Sequence, residues 1–183
     1  MSESGIESEV KFHINDLEKL RVELIARGAI VTQSRHLERN TLFDDAGHSL
    51  ARRGMLLRLR SALDTVLTLK APAPPGQHST QHKKRIEIET TVGDFDAAFS
   101  ILTRLGFAPA WRYEKYRESF RLDGVTVSLD HTPIGDFVEI EGPPESIRPA
   151  ADRLGFEWAS RNLQTYRDLF VQAAPPGKTD MTF

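Results

Sequence analysis

The chain has 183 residues, with 24 Lys+Arg against 26 Asp+Glu, six His and no Cys, and 39% of it is hydrophobic. This length suits one compact domain, and a formal net charge of −2 excludes both a generally basic nucleic-acid binder and an acidic disordered tail. Lack of cysteine removes disulfide scaffolds, thiolate zinc sites and thiol nucleophiles, which makes the cytoplasm the expected compartment. The opening residues Met1 to Glu7 carry neither a basic segment nor an apolar core, and no later run approaches the roughly 18 apolar residues of a membrane span. Export and membrane insertion are therefore not expected.

Along the chain, period-two alternation first predicts a strand near residues 6–13. From Asp16 to Arg27 the spacing becomes helical, with Leu17, Leu20, Leu24 and Ile25 on one stripe and Gly28 as the stop. Strands follow near 37–44, 55–62 and 65–71. The stretch Ala71-Pro-Ala-Pro-Pro-Gly-Gln-His-Ser-Thr-Gln-His82 reads as a mobile loop inside one domain, suited to act as a lid. A strand near 84–91 leads into a second helix from Asp94 to Leu105. Its stripe is Phe95, Ala98, Phe99, Leu102 and Leu105, with Asp94 as N-cap and Gly106 at the end. Strands near 112–121, 124–130 and 136–141 are followed by helices at about 145–154 and 163–172, and residues 173–183 read as a flexible tail. The expected fold is α+β, a single domain over 1–172 in which eight antiparallel strands form a closed or nearly closed β-barrel flanked by helices, because closure removes exposed strand edges.

Charged residues sit two apart, and so on one strand face, repeatedly. The series runs Glu7, Glu9 and Lys11; Arg58 and Arg60; Lys70; Arg85, Glu87 and Glu89; Lys115 and Arg117; Asp130; Glu139 and Glu141. Apolar residues such as Val10, Leu59, Ile86, Leu129, Val138 and Ile140 alternate with them. A sheet with its charged face in water accounts for any one strand. Solvated faces usually mix signs, however, whereas here the signs cluster within strands. If the charged faces line a barrel, the interior must be wet, mutually paired or filled by ligand. A triphosphate with one or two divalent ions matches that set, and oxygen donors favour Mg²⁺ or Mn²⁺.

Glu7-Ser-Glu9-Val-Lys11 resembles the Glu-x-Glu-x-Lys signature of the CYTH superfamily, the triphosphate tunnel metalloenzymes, and the remaining charged pairs occur in that family's order over about residues 6–171. Asp130-His-Thr-Pro-Ile-Gly-Asp136-Phe-Val-Glu139-Ile-Glu141, Tyr166-Arg-Asp-Leu-Phe170 and Asn40-Thr-Leu-Phe-Asp44 are similar to the class IV adenylyl cyclase (CyaB-like) branch. The resemblance implies an eight-stranded tunnel in which Glu7, Glu9, Asp130, Glu139 and Glu141 hold the divalent metals. It implies also that Lys11, Arg58, Arg60, Lys70, Arg85, Lys115 and Arg117 grip phosphate. Glu87 and Glu89 either join the metal set or orient neighbouring cations. Arginine's bidentate geometry suits Arg58, Arg60 and Arg117 to fixing the substrate.

The implied chemistry is conversion of ATP to cyclic AMP and pyrophosphate. Hydrolysis of inorganic tripolyphosphate, thiamine triphosphate or nucleoside triphosphates is the alternative, with Lys115 as candidate base, and a polyphosphate- or nucleotide-binding module without turnover is a third reading. The partner is thus a triphosphate-containing small molecule, with neither nucleic acid nor membrane, and the sequence is compatible with a homodimer. His78 and His82 read as solvated loop residues, His131 as structural because it points away from Asp130, and Tyr166 as packing for the last helix or closing the tunnel mouth. Trp111 and Trp158 read as core or rim aromatics.

Overall fold

The computed structural model describes residues 6–77 and 79–183. Eight strands, β1 (Ile6–Ile14), β2 (Ile30–Asp44), β3 (Leu56–Ser61), β4 (Thr65–Pro72), β5 (Lys83–Thr91), β6 (Ala108–Leu122), β7 (Val125–Thr132) and β8 (Gly135–Glu141), form the ring β1-β5-β4-β3-β2-β6-β7-β8. Every pairing is antiparallel, and β1 closes the barrel by pairing with both β5 and β8. Five helices lie against it: α1 (Leu17–Ala26), α2 (Ser49–Arg52), α3 (Phe95–Arg104), α4 (Pro144–Arg153) and α5 (Tyr166–Ala173). No helix among the described residues is long and apolar enough to cross a membrane.

Helix ends follow from local chemistry. Asp16 accepts a hydrogen bond from the Lys19 amide and Asp94 one from the Ala97 amide, each satisfying a donor that the first helical turn leaves free. Gly106, at φ 91°, turns the chain out of α3 in the left-handed region. Thr165 and Asp168 form a reciprocal capping box that starts α5 at Tyr166, later than its apolar spacing suggests. Leu105, expected on the stripe of α3, is instead the C-cap residue and is exposed.

Alternation then sorts side chains to the two sides of the barrel wall. Outward residues of β1, β6, β7 and β8, among them Val10, Phe12, Phe120, Val127, Val138 and Ile140, pack with Leu20 and Leu24 of α1 and Ile147 and Ala151 of α4. Phe43 and Leu59 pack likewise against Leu102 of α3. A third cluster joins Leu42, Trp111, Tyr113 and Phe137 to Tyr166 and Phe170 of α5 and to Met181.

Two strands run further than alternation predicts. β2 begins at Ile30 because Ile30 to Arg35 pairs only with β6, through irregular register, and is exposed on both faces, so no period-two signal marks it. β6 begins at Ala108 for a related reason, since its pairing with β2 shifts register between Leu42 and Phe43.

The stretch 173–183, expected as a flexible tail, is instead tied to β6. Met181 donates its amide to the Arg112 carbonyl at 3.0 Å and accepts from the Glu114 amide at 2.8 Å, while the Asp180 carboxylate accepts from the Arg112 amide. Met181 is fully buried and anchors the segment, with Ala174 packed on the same cluster and Phe183 against Tyr116 and His131. Met181→Ala is expected to cost about 2–5 kcal/mol, seen as a lower urea midpoint with unchanged slope. An unchanged midpoint would show that the segment contributes nothing to folding.

Candidate active site

The barrel encloses a cavity of about 460 Å³. Glu7, Glu9, Lys11, Arg58, Arg60, Lys70, Arg85, Glu87, Glu89, Lys115, Arg117, Glu139 and Glu141 all line it. Asp130 does not: it is fully buried behind the wall. The cross-strand register explains why like charges could sit along each strand. Glu7 lies opposite Arg85, Glu9 opposite Lys83, Lys11 opposite Glu139, Lys70 opposite Glu87 and Arg117 opposite Asp130. In these pairs opposite signs meet across the ladder, where directly opposed side chains are closest, and the exception is Glu9, which on its other side faces Glu141.

Three groups of ion pairs result. In the first, Lys11 donates to Glu139 at 2.5 Å, and Arg117 bonds both Glu139 and Asp130, the latter through Nε and Nη2 at 2.7 and 2.6 Å. Lys115 joins this group, donating to Asp130 at 3.0 Å, and the Tyr166 hydroxyl donates to the same carboxylate at 2.6 Å. Burial opposes ionisation of Glu139, but Lys11, Arg117 and Lys115 outweigh it and hold that carboxyl well below the usual range. Burial and the neighbouring Asp130 and Glu139 charges push the Tyr166 phenol well upward, so it stays a donor.

In the second group Lys70 donates to Glu7 at 2.5 Å and lies 3.2 Å from Glu87, while Lys83 donates to Glu9 at 2.7 Å. Burial again works against the charged form of Glu9, but Lys83 lowers it to about 2. In the third, Arg58 reaches Glu89 and the Thr68 hydroxyl, both at 3.2 Å, and the Tyr113 hydroxyl at 3.3 Å. Arg85 donates to the Gly54 carbonyl.

Carboxylates exceed cations at one place. Glu141, an exposed residue at the end of β8, makes no ion pair among the described residues, and the partly desolvated cavity mouth together with Glu7, Glu9 and Glu87 pushes its carboxyl up to about 7. Glu87 is raised to about 7 as well, by burial that the nearby Lys70 only partly offsets and by Glu7 and Glu89. An all-oxygen cluster short of positive charge fits a hard divalent cation. Among the described residues no three His, Asp or Glu side chains already converge on one point as a metal cage.

Some cavity residues escaped the alternation argument. Lys83 continues the Arg85, Glu87, Glu89 series one step upstream, and reading that strand from its true start would have found it. Tyr166 lines the cavity from the first turn of α5, with Lys11 Nζ 4.3 Å and Lys115 Nζ 5.0 Å from its ring centre. No strand periodicity marks a helical residue. Glu38 of β2 is buried beside Lys115 and Arg60.

Of the other residues singled out in the sequence, Trp111 also lines the cavity, whereas His82, His131 and Trp158 do not. His131 points outward, bonds Asp136 at 2.6 Å and stacks on Phe183. Trp111 stacks on Tyr113 within the inner apolar cluster, and Trp158 sits at the rim between Arg148 and Arg161. His78 lies outside the described residues. His82 is only partly buried, and in the loop expected to be mobile Arg161 holds the carbonyls of Thr80 and Gln81 while Trp158 holds the Gln81 side chain.

A profile of the CYTH domain matches residues 5–152. The chain belongs to the CYTH family. CYTH members are adenylyl cyclases or triphosphatases, and this chain is an enzyme of that type. It is 28% identical over 178 residues to adenylate cyclase CyaB of Aeromonas hydrophila, covering 91% of this chain and 90% of the relative. A candidate adenylate cyclase from Vibrio parahaemolyticus superimposes with a TM-score of 0.81 at 17% identity, over 92% of this chain and 99% of the other. A candidate adenylyl cyclase from Hippeastrum, described as having dominant triphosphatase activity, gives 0.64 at 16% identity, over 95% and 99%. At such identities the last two establish the shared CYTH fold, the eight-stranded ring with flanking helices.

Proposed function

We propose that this CYTH enzyme converts ATP to cyclic AMP and pyrophosphate in the barrel cavity, with Mg²⁺ or Mn²⁺. One observation carries the reading: the cavity wall joins its charged surfaces to an apolar one of Leu42, Met55, Leu56, Ala110 and Trp111. A polyphosphate fits the first and a nucleoside the second. Kinship with the Aeromonas cyclase over nine-tenths of both chains supports it.

In this reading Lys11, Arg58, Arg60, Lys70, Arg85, Lys115 and Arg117 hold the phosphate oxygens, the arginines fixing orientation by bidentate contact and the lysines adding point charge. Glu7, Glu9 and Glu141, with Glu87, hold the divalent ions. When bound, those ions would neutralise phosphate charge and supply Lewis acidity. Glu139 joins that set once Lys11 turns to phosphate, as Glu7 and Glu9 do when Lys70 and Lys83 turn, Glu89 stands against Arg58, and Asp130 orients Lys115, Arg117 and Tyr166. Alignment of the ribose 3′-hydroxyl on the α-phosphate, opposite the leaving pyrophosphate, is then a matter of position more than covalent help from the protein.

Hydrolysis of a triphosphate is the second reading, favoured by the completeness of the charged wall without its apolar neighbour. There Lys115, as base, would have to give up its bond to Asp130. Incubation with ATP, and separately with tripolyphosphate, under each metal separates the two. Cyclic AMP with an equal amount of pyrophosphate is expected. Orthophosphate from either substrate without cyclic AMP would replace the cyclase reading by the hydrolase, and tight binding without product would replace both by a binding module.

A further inference from the structure

Asp44 and Glu38 are both buried carboxylates of β2, and they are satisfied in opposite ways. Asp44 accepts hydrogen bonds from the backbone amides of Asp45, Leu50 and Ala51, as a carboxylate that shapes a turn does. Glu38 is 2% exposed and takes no backbone amide. Its surroundings are side-chain nitrogens from three strands: the cations Arg60 Nη1 of β3 at 3.6 Å and Lys115 Nζ of β6 at 3.7 Å, and His36 Nε2 of β2 itself at 3.7 Å. All three distances exceed a hydrogen bond, and Oε2 has no partner.

Partnerless buried polar atoms concentrate on this wall. Among the described residues they include both amide atoms of Asn40, two residues along the same face, with Arg58 Nε and Trp111 Nε1 on the adjoining strands. A side chain that served folding alone would be expected to find its hydrogen bonds. Lys115 lies directly across the ladder from Glu38 and is bracketed on its other side by Asp130. Its ammonium thus stands between two carboxylates, with the Tyr166 ring beneath.

We propose that Glu38 is a positioning residue for the reaction: acting from behind the cavity wall, it fixes Lys115 and Arg60 as a pair aimed at the polyphosphate. This rests on the reading of the cavity as a triphosphate site. Glu38 touches neither substrate nor metal. Its negative charge opposes binding of an anion, while its hold on Lys115 and Arg60 favours the transition state. The two effects have opposite signs, and that separates positioning from a structural role.

The experiment uses Glu38→Gln in the full chain, with Glu38→Asp as the conservative variant, and measures calorimetric affinity for tripolyphosphate and kcat on whichever triphosphate the wild type turns over. Expected for Glu38→Gln are tripolyphosphate binding as tight as wild type or tighter and a kcat lower by about tenfold or more, with part of the kcat restored in Glu38→Asp. In a Lys115→Ala background the same change should lower kcat by no more than about twofold, because its main route of action is gone. Equal losses of affinity and kcat, an unchanged kcat, or full additivity with Lys115→Ala would overturn the proposal. A wild type that binds no tripolyphosphate and turns over no triphosphate would instead overturn the reading of the cavity. If the wild type binds without turnover, the affinity cycle alone decides: non-additive effects of Glu38→Gln and Lys115→Ala sustain the proposal and additive ones sink it.

Discussion

Asp130→Asn is expected to lower kcat/KM about a hundredfold or more and to destabilise the fold by about 3–5 kcal/mol. The kinetic loss follows from geometry: Lys115, Arg117 and Tyr166 all donate to this one carboxylate, and misplacing catalytic groups by about 1 Å typically costs on the order of a hundredfold. The stability loss follows from burial, since removing one partner of a buried ion pair leaves the others charged and unsatisfied. Steady-state turnover and a denaturant midpoint on the same preparation test both. Near-wild-type turnover would mean that the cations keep their places without Asp130, and the account of this wall would fail.

Divalent-cation affinity is expected to fall steeply on acidification, approaching about tenfold per pH unit for each carboxylate that must ionise and amounting to about thirtyfold between pH 7 and 6 for two that titrate near 7. Glu87 and Glu141 are the groups concerned, both raised to about 7 in the folded protein from an ordinary value of 4.5. The sign is fixed by the direction of the shift. A carboxyl raised on folding contributes stability that is complete below about 4.5 and lost as pH rises toward 7. Metal-free protein should therefore lose some stability over that window, while added Mg²⁺ should raise the melting temperature more at pH 8 than at pH 6. Thermal melts with and without Mg²⁺ across that range are the measurement. A metal-induced shift independent of pH would remove Glu87 and Glu141 from the cation site.

The barrel and most of its inner wall are legible in the sequence because strand alternation is a local signal. Val10 and Lys11, or Ile140 and Glu139, declare opposite faces whatever the rest of the chain does. What alternation cannot tell is which of the two faces looks inward and how the signs offset one another. The pairing of Glu9 with Lys83, or of Lys11 with Glu139 from 128 residues away, is a property of register. The same limit explains Asp130. Its place in the series is that of a wall residue, but Lys115, Arg117 and Tyr166 close over it, and only their packing puts it out of reach. Tyr166 stays open in the sequence between packing the last helix and closing the tunnel mouth, because it enters the cavity from a helix end set by the Thr165 and Asp168 capping box, where no strand alternation decides its face. Met181 shows how a buried apolar residue can help order a segment that composition alone marks as loose.

The matched charges of the inner wall also shape how the enzyme fills. With Lys70 against Glu7, Lys83 against Glu9 and Lys11 against Glu139, the inner wall is largely paired within itself, and an arriving polyanion must win its lysines away from glutamates. Every lysine that changes partner liberates an oxygen donor. Loading therefore amounts to an exchange of counterions, in which nucleotide and cation each make room for the other, and each should bind more tightly once the other is in place.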